Sequence, residues 1–147
     1  MQAAAFEPLL SPDGRHVAYS ASGSDGRIVV LPSAGGAAEV VYESKPPTSA
    51  EDWSSDGRFL VGHESAKRGS VEQGQDEDGA YLIVHGERVH LGRRLADFLK
   101  REAKRDIEAM VAKHCEAAGR RAKAIRFRDT SSRWGSCTSD GTLSFSW

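Results

Sequence analysis

No apolar run in the 147 residues approaches the roughly 20 that cross a bilayer. The start, Met1-Gln2-Ala3-Ala4-Ala5-Phe6, has neither the basic nor the long apolar region of a secretory leader. A cytoplasmic protein with no membrane partner is the expectation. Cysteine is scarce as well: Cys115 and Cys137 stand alone, with no metal-site spacing, which excludes a disulfide framework and implies reduced thiols. Chemistry-bearing patterns are also missing. There is no Gly-rich phosphate loop, and none of His16, His63, His85, His90 and His114 forms a pair four residues apart around a Glu. No residue is therefore assigned as catalytic or as a metal ligand.

Net charge is also nearly absent, at −1, but the total hides a split. Residues 1–85 carry 6 Lys+Arg against 13 Asp+Glu, whereas residues 86–147 carry 14 against 8. A basic half raises nucleic acid as a partner. The way acids interleave with bases in that half argues for a solvated face instead.

What is present in the first half is strand and turn chemistry. Ser11-Pro12-Asp13-Gly14-Arg15 is a turn followed by the strand His16-Val17-Ala18-Tyr19, and Ser54-Ser55-Asp56-Gly57-Arg58 repeats it 43 residues later. Between the copies, Gly26 to Leu31 and Ala37 to Tyr42 read as two more strands. A period of about 40 to 45 residues with several strands per unit is the mark of a propeller blade. On these residues the segment resembles the WD40-like repeats of TolB-type propellers. The resemblance implies one blade and the opening of a second, with sheet edges exposed to a protein partner. Trp53 is expected to pack in the core. Residues 1–65 are taken as this β segment and 66–79, rich in Gly and charge, as a flexible linker.

From residue 80 the pattern changes. Ala80 to His85 reads as a strand, Gly86-Glu87 as a two-residue turn and Arg88 to Leu91 as its partner. His85 and His90 would approach across that hairpin, but no third ligand joins them, so strand-end roles are assigned. Apolar residues from Leu95 to Ala118 follow helical spacing over Arg93 to Ala118, stopped by Gly119. Ala124 to Arg128 and Thr142 to Trp147 alternate as strands, and they are expected to form a hairpin around a long loop. In that loop Ser139-Asp140-Gly141 supplies a turn, while Arg133-Trp134-Gly135-Ser136-Cys137 looks chosen for more than packing.

Arg128-Asp129-Thr130-Ser131-Ser132-Arg133-Trp134-Gly135-Ser136-Cys137, followed by Gly141 to Trp147, resembles the signature of the YgjP-like metallopeptidases, a zincin-like group. The helix from Arg94 to Asp106 is similar to its bacterial form. The resemblance covers about residues 80–147. It implies a zinc-dependent hydrolase whose complete domain continues into a helix carrying His-Glu-x-x-His, with zinc held by the histidines and the Glu as general base. These 147 residues lack that motif, so no cofactor is expected in this chain, and a catalytically incomplete metallohydrolase is the leading expectation. The alternatives are a protein-interaction module built on the propeller-like strands and weak nucleic-acid binding. Within the signature, Trp134 and Gly135 are read mainly as a structural clamp. The sharper reading makes Arg133, Trp134 and Ser136 the wall of a cleft, with Arg133 a fixed cation for an anionic group. The fold expected is α+β: a small antiparallel sheet over 1–65, the linker, then hairpin, long amphipathic helix and hairpin over 80–147.

Overall fold

A computed structural model describes residues 7–21, 26–65, 68–75, 80–128 and 133–146. Among these, eleven strands form three sheets beside one long helix, a mixed α+β architecture. The chain divides into two compact units, residues 1–95 and 96–147. No helix is long and apolar enough to cross a membrane among the described residues.

In the first unit β1 (Leu9–Leu10), β2 (His16–Ala21), β3 (Gly26–Pro32) and β4 (Glu39–Ser44) form an antiparallel meander in that order. A second sheet contains β5 (Thr48–Trp53), β6 (Phe59–Glu64), β7 (Val71–Gln75) and β8 (Ala80–His85), ordered β5-β6-β8-β7. The sheets share a core of Ala18, Ile28, Leu60 and Ile83, flanked by Leu9, Val30, Tyr42, Trp53 and Tyr81. Gly62 on β6 permits the close approach, since a Cβ there would lie 2.6 Å from Ile28 Cδ1 and 2.7 Å from Ile83 Cδ1. The Ala50 amide donates to Ser20 Oγ at 2.9 Å, joining β5 to β2 by a hydrogen bond in addition to apolar contact. Trp53 packs on this core as expected, and its indole N–H donates to the Leu9 carbonyl at 3.0 Å.

The two sheets do not form a closed propeller, and the repeated motif has a more local meaning. It recurs a third time as Thr138-Ser139-Asp140-Gly141, outside the segment read as propeller. In all three copies the Gly amide donates to the carbonyl three residues back, at 2.8, 2.8 and 2.9 Å, and the Gly has φ of +71 to +85°. The motif thus specifies a hairpin turn rather than a blade.

Three further expectations are corrected. Within the stretch read as a flexible linker, Val71–Gln75 is a strand paired antiparallel with β8. Second, Ala80–His85 does not fold back on residues 88–91. It pairs parallel with β6 on its other side, and Arg88–His90 is a single 3-10 turn. The apolar run Leu82-Ile83-Val84 is wholly buried and so takes two neighbours, whereas Val89 is 81% exposed and could bury nothing in return. Third, β9 (Ala124–Arg128) and β11 (Thr142–Ser146) run parallel, because β10 (Gly135–Cys137) inside the intervening segment is the true hairpin partner of β11.

The helix α1 (Leu91–Ala117) lies close to its expected bounds and ends at Gly119, φ +61°, where the Arg120 amide closes on the Cys115 carbonyl at 2.9 Å. Its outer face is laced by Lys104–Glu108 and Arg105–Glu102 ion pairs. Of its apolar residues only Phe98 is buried. Leu99 and Met110 are 45% and 58% exposed, so the apolar stripe of α1 is only partly covered.

Candidate functional site

The second unit builds its site on a three-stranded sheet ordered β10-β11-β9. Alternation divides the sheet into two faces. Register places Phe127 beside Phe145 and Ile125 beside Leu143 on one face, and the two phenyl centroids are 6.3 Å apart. The opposite face carries Arg126 beside Ser144, Arg128 beside Ser146 and, across the hairpin, Ser136 beside Ser144. The turn feeding β11 is held by Asp140. Lys123 Nζ donates to its carboxylate at 2.6 Å, and the Lys123 ammonium, with the Thr138 hydroxyl and Thr142 amide, keeps that carboxyl well below its ordinary value of 3.8.

The signature residues are distributed along this hairpin. Gly135, Ser136 and Cys137 form β10 itself. A Cβ on Gly135 would stand 3.4 Å from the Ser144 carbonyl, so the glycine lets the backbone lie close to β11. The Trp134 carbonyl accepts from the Ser146 amide at 2.9 Å, extending the ladder, but the side chain is 88% exposed. The indole therefore faces solvent and does not supply the ring packing expected of a clamp. Cys137 is an exposed free thiol and Cys115 a half-buried one. Arg133, Ser136, Ser144, Ser146 and Arg128 line a pocket of about 230 Å³. Behind the sheet, Ile107, Met110, Val111, Cys115, Leu143 and Phe145 line an open and almost wholly apolar groove of about 470 Å³.

The zinc that the resemblance implies does not fit the donors present. All five histidines and both cysteines lie among the described residues, and no three His, Cys, Asp or Glu side chains among those residues converge to hold a metal ion. Each histidine with a polar partner has it within the sheets or turns. His63 Nε2 is 2.7 Å from the Gly86 carbonyl, and His85 lies between Glu64 and Glu72, at 3.0 and 3.3 Å. His90 sits near Glu87 rather than His85.

The Glu64–His85 contact belongs to a cluster that sequence reading missed. Glu64 is buried, with Tyr42 donating to Oε2 at 2.8 Å. Burial pulls the Glu64 carboxyl upward, but hydrogen bonds from Tyr42, Ser44 and His85 outweigh it and hold the group below its ordinary 4.5. Burial and the carboxylate together push the Tyr42 phenol above its ordinary 10.0. These residues lie on β4, β6 and β8, which the sequence does not show to be neighbours.

A family model described as "YgjP-like, metallopeptidase domain" matches residues 41–147. No curated protein and no solved structure matches the chain. The match begins within β4, well before the start near residue 80 expected from the signature, and takes in the whole second sheet. That family is metallopeptidase-like, which implies zinc in its complete domain. Spanning more than two thirds of the sequence, the match shows that this chain belongs to the YgjP-like metallopeptidase domain family.

Proposed function

We propose that the chain is the scaffold part of a YgjP-like zinc-dependent metallohydrolase, catalytically incomplete by itself because its 147 residues include no His-Glu-x-x-His helix. The observation that carries this reading is the apolar groove between the second half of α1 and β11. An amphipathic helix covers such a groove with one face. In the complete family domain the helix that follows the signature hairpin is the one that holds zinc. The hairpin then frames the cleft, with β10 as its edge strand and Arg133, Trp134 and Ser136 on its wall. Metal analysis and peptide hydrolysis by the purified 147-residue chain test the reading, with neither stoichiometric zinc nor turnover expected. Stoichiometric zinc together with chelator-sensitive hydrolysis would overturn it.

A second reading rests on β4, an edge strand six residues long on which Val40 is 49% exposed. Edge strands of this kind recruit partner strands. A protein that stays monomeric and partner-free at high concentration counts against this reading.

A further inference from the structure

The polar face of the β10-β11-β9 sheet departs from what a merely solvated face does elsewhere in this protein. On the first sheet Arg27 stands opposite Glu43 and pairs with it at 2.9 Å, and on α1 Lys104 and Arg105 pair with acids one turn away. That is the ordinary cross-strand and helical way of neutralising exposed charge. On β9, by contrast, Arg126 and Arg128 stand opposite Ser144 and Ser146. Ser136 adds a third hydroxyl in the same row as Ser144. Small hydroxyl side chains between long guanidinium side chains leave a concavity of about 230 Å³, and no acidic side chain among the described residues lines it. Arg133 and Ser146 also line it, though both already engage other groups, so the argument rests on Arg128, Ser136 and Ser144.

We propose that this concavity is a binding pocket for an oxyanion, a phosphoryl or carboxylate group, held by the Arg128 guanidinium with the Ser136 and Ser144 hydroxyls. A guanidinium fork offers two parallel donors to two oxygens of one anion. Each serine hydroxyl adds a rotatable donor. Together they offer about four donors, matching the roughly four lone-pair sites of a carboxylate or part of the acceptor set of a phosphoryl group. The excess of basic residues over residues 86–147 favours an anion in the same direction. The pocket gives chemical content to the sharper reading of Arg133 as a cation in the cleft wall, but its occupancy requires no metal and no hydrolysis. Failure of the metallohydrolase reading would leave it standing, and the reverse holds too.

The test is a titration of the full 147-residue chain with inorganic phosphate, with acetate, and with chloride at matched ionic strength, followed by backbone amide chemical shifts. Phosphate or acetate is expected to give saturable shifts centred on Arg128, Ser136 and Ser144, and chloride none. The tighter of the two identifies the group as phosphoryl or carboxylate. Arg128→Gln is expected to weaken binding about tenfold or more, and Ser144→Ala by about threefold to tenfold. Arg128→Lys keeps the charge and the strand but is also expected to lose affinity, because an ammonium cannot replace the fork. Lys113→Gln on α1 is expected to leave affinity unchanged. Shifts that follow ionic strength whatever the anion, or equal affinity in Arg128→Gln and the parent, would overturn the proposal.

Discussion

Asp13 and Asp56, 43 residues apart, hold their turns with the same set of bonds. Asp13 Oδ1 accepts from Ser11 Oγ at 2.6 Å and from the Arg15 amide at 3.0 Å. Asp56 Oδ1 accepts from Ser54 Oγ at 2.6 Å and from the Arg58 amide at 3.1 Å. The serine hydroxyls in turn accept from the His16 and Phe59 amides, both at 2.9 Å. The serine hydrogen bond, then the Arg amide, lowers each carboxyl below its ordinary 3.8. A lowered folded-state pKa adds stability above the unfolded value, and that stability is lost as pH falls through the folded one. The Asp13→Asn, Asp56→Asn double variant is therefore expected to show a shallower loss of thermal midpoint below about pH 4 than the parent. Equal acid sensitivity in a melting series from pH 6 to pH 2 would remove these turns from the account.

That pair also explains what the sequence made legible and what it did not. Turns were readable because Asp-Gly chemistry is local: each bond spans five residues or fewer, so the motif alone specifies it. The same locality made the motif misleading about architecture, since a similar device serves a hairpin at Thr138–Gly141 that belongs to no blade. The long helix was legible for the same reason, through its apolar period and Gly119. Pairing was not. Whether Ala80–His85 joins β6, β7 or residues 88–91 depends on which neighbours bury Leu82, Ile83 and Val84, a contest decided across the whole unit. The Glu64 cluster was hidden likewise: the parallel β6–β8 register sets Glu64 beside His85, and Tyr42 reaches the same carboxylate from β4 of the other sheet.

Gly62 is a position where the core of the first unit has no room for added volume. Gly62→Ala would place a methyl against Ile28 and Ile83, both 0% exposed, with little room to give way. Overpacking of this kind costs about 1–3 kcal/mol. A urea-denaturation midpoint unchanged from the parent would show that the two sheets separate more readily than their packing implies.

Glu64 and Tyr42 are expected to be coupled. A hydrogen bond to a charged group contributes about 1.5–3 kcal/mol, but Ser44 and His85 also serve this carboxylate, so Tyr42→Phe is expected near the lower end of that range. The folded-state pKa of Glu64 is lowered, so its contribution is present above about pH 4.5 and fades as the medium is acidified beyond it. A double-mutant cycle with Glu64→Gln, measured at pH 7 and at pH 3, checks both claims. Coupling that is absent at pH 7, or that grows on acidification, contradicts them.

The groove behind β11 supplies a prediction about surface rather than stability. Met110 is 58% exposed at its rim, so the chain is expected to bind a solvatochromic dye such as ANS at the groove. Met110→Lys is expected to abolish most of that signal while changing unfolding free energy by less than about 0.5 kcal/mol, as substitutions at exposed positions do. Undiminished dye fluorescence in the variant would mean that the apolar surface lies elsewhere.

Trp134 separates a structural from a functional reading of the signature most directly. Its carbonyl holds the Ser146 amide, a bond that any residue makes, whereas its indole is 88% exposed and buries little when the chain folds. A tryptophan that served as a clamp would cost about 3–5 kcal/mol on truncation to alanine. Here Trp134→Ala is expected to cost less than about 0.5 kcal/mol in this chain. A large exposed aromatic beside an arginine- and serine-lined pocket is suited to contact with something outside the chain. The same substitution, placed in a chain extended by a His-Glu-x-x-His helix, is therefore expected to lower peptide turnover while leaving the unfolding midpoint in place. Destabilisation by several kcal/mol in the 147-residue chain would return the residue to a packing role and remove it from the cleft wall.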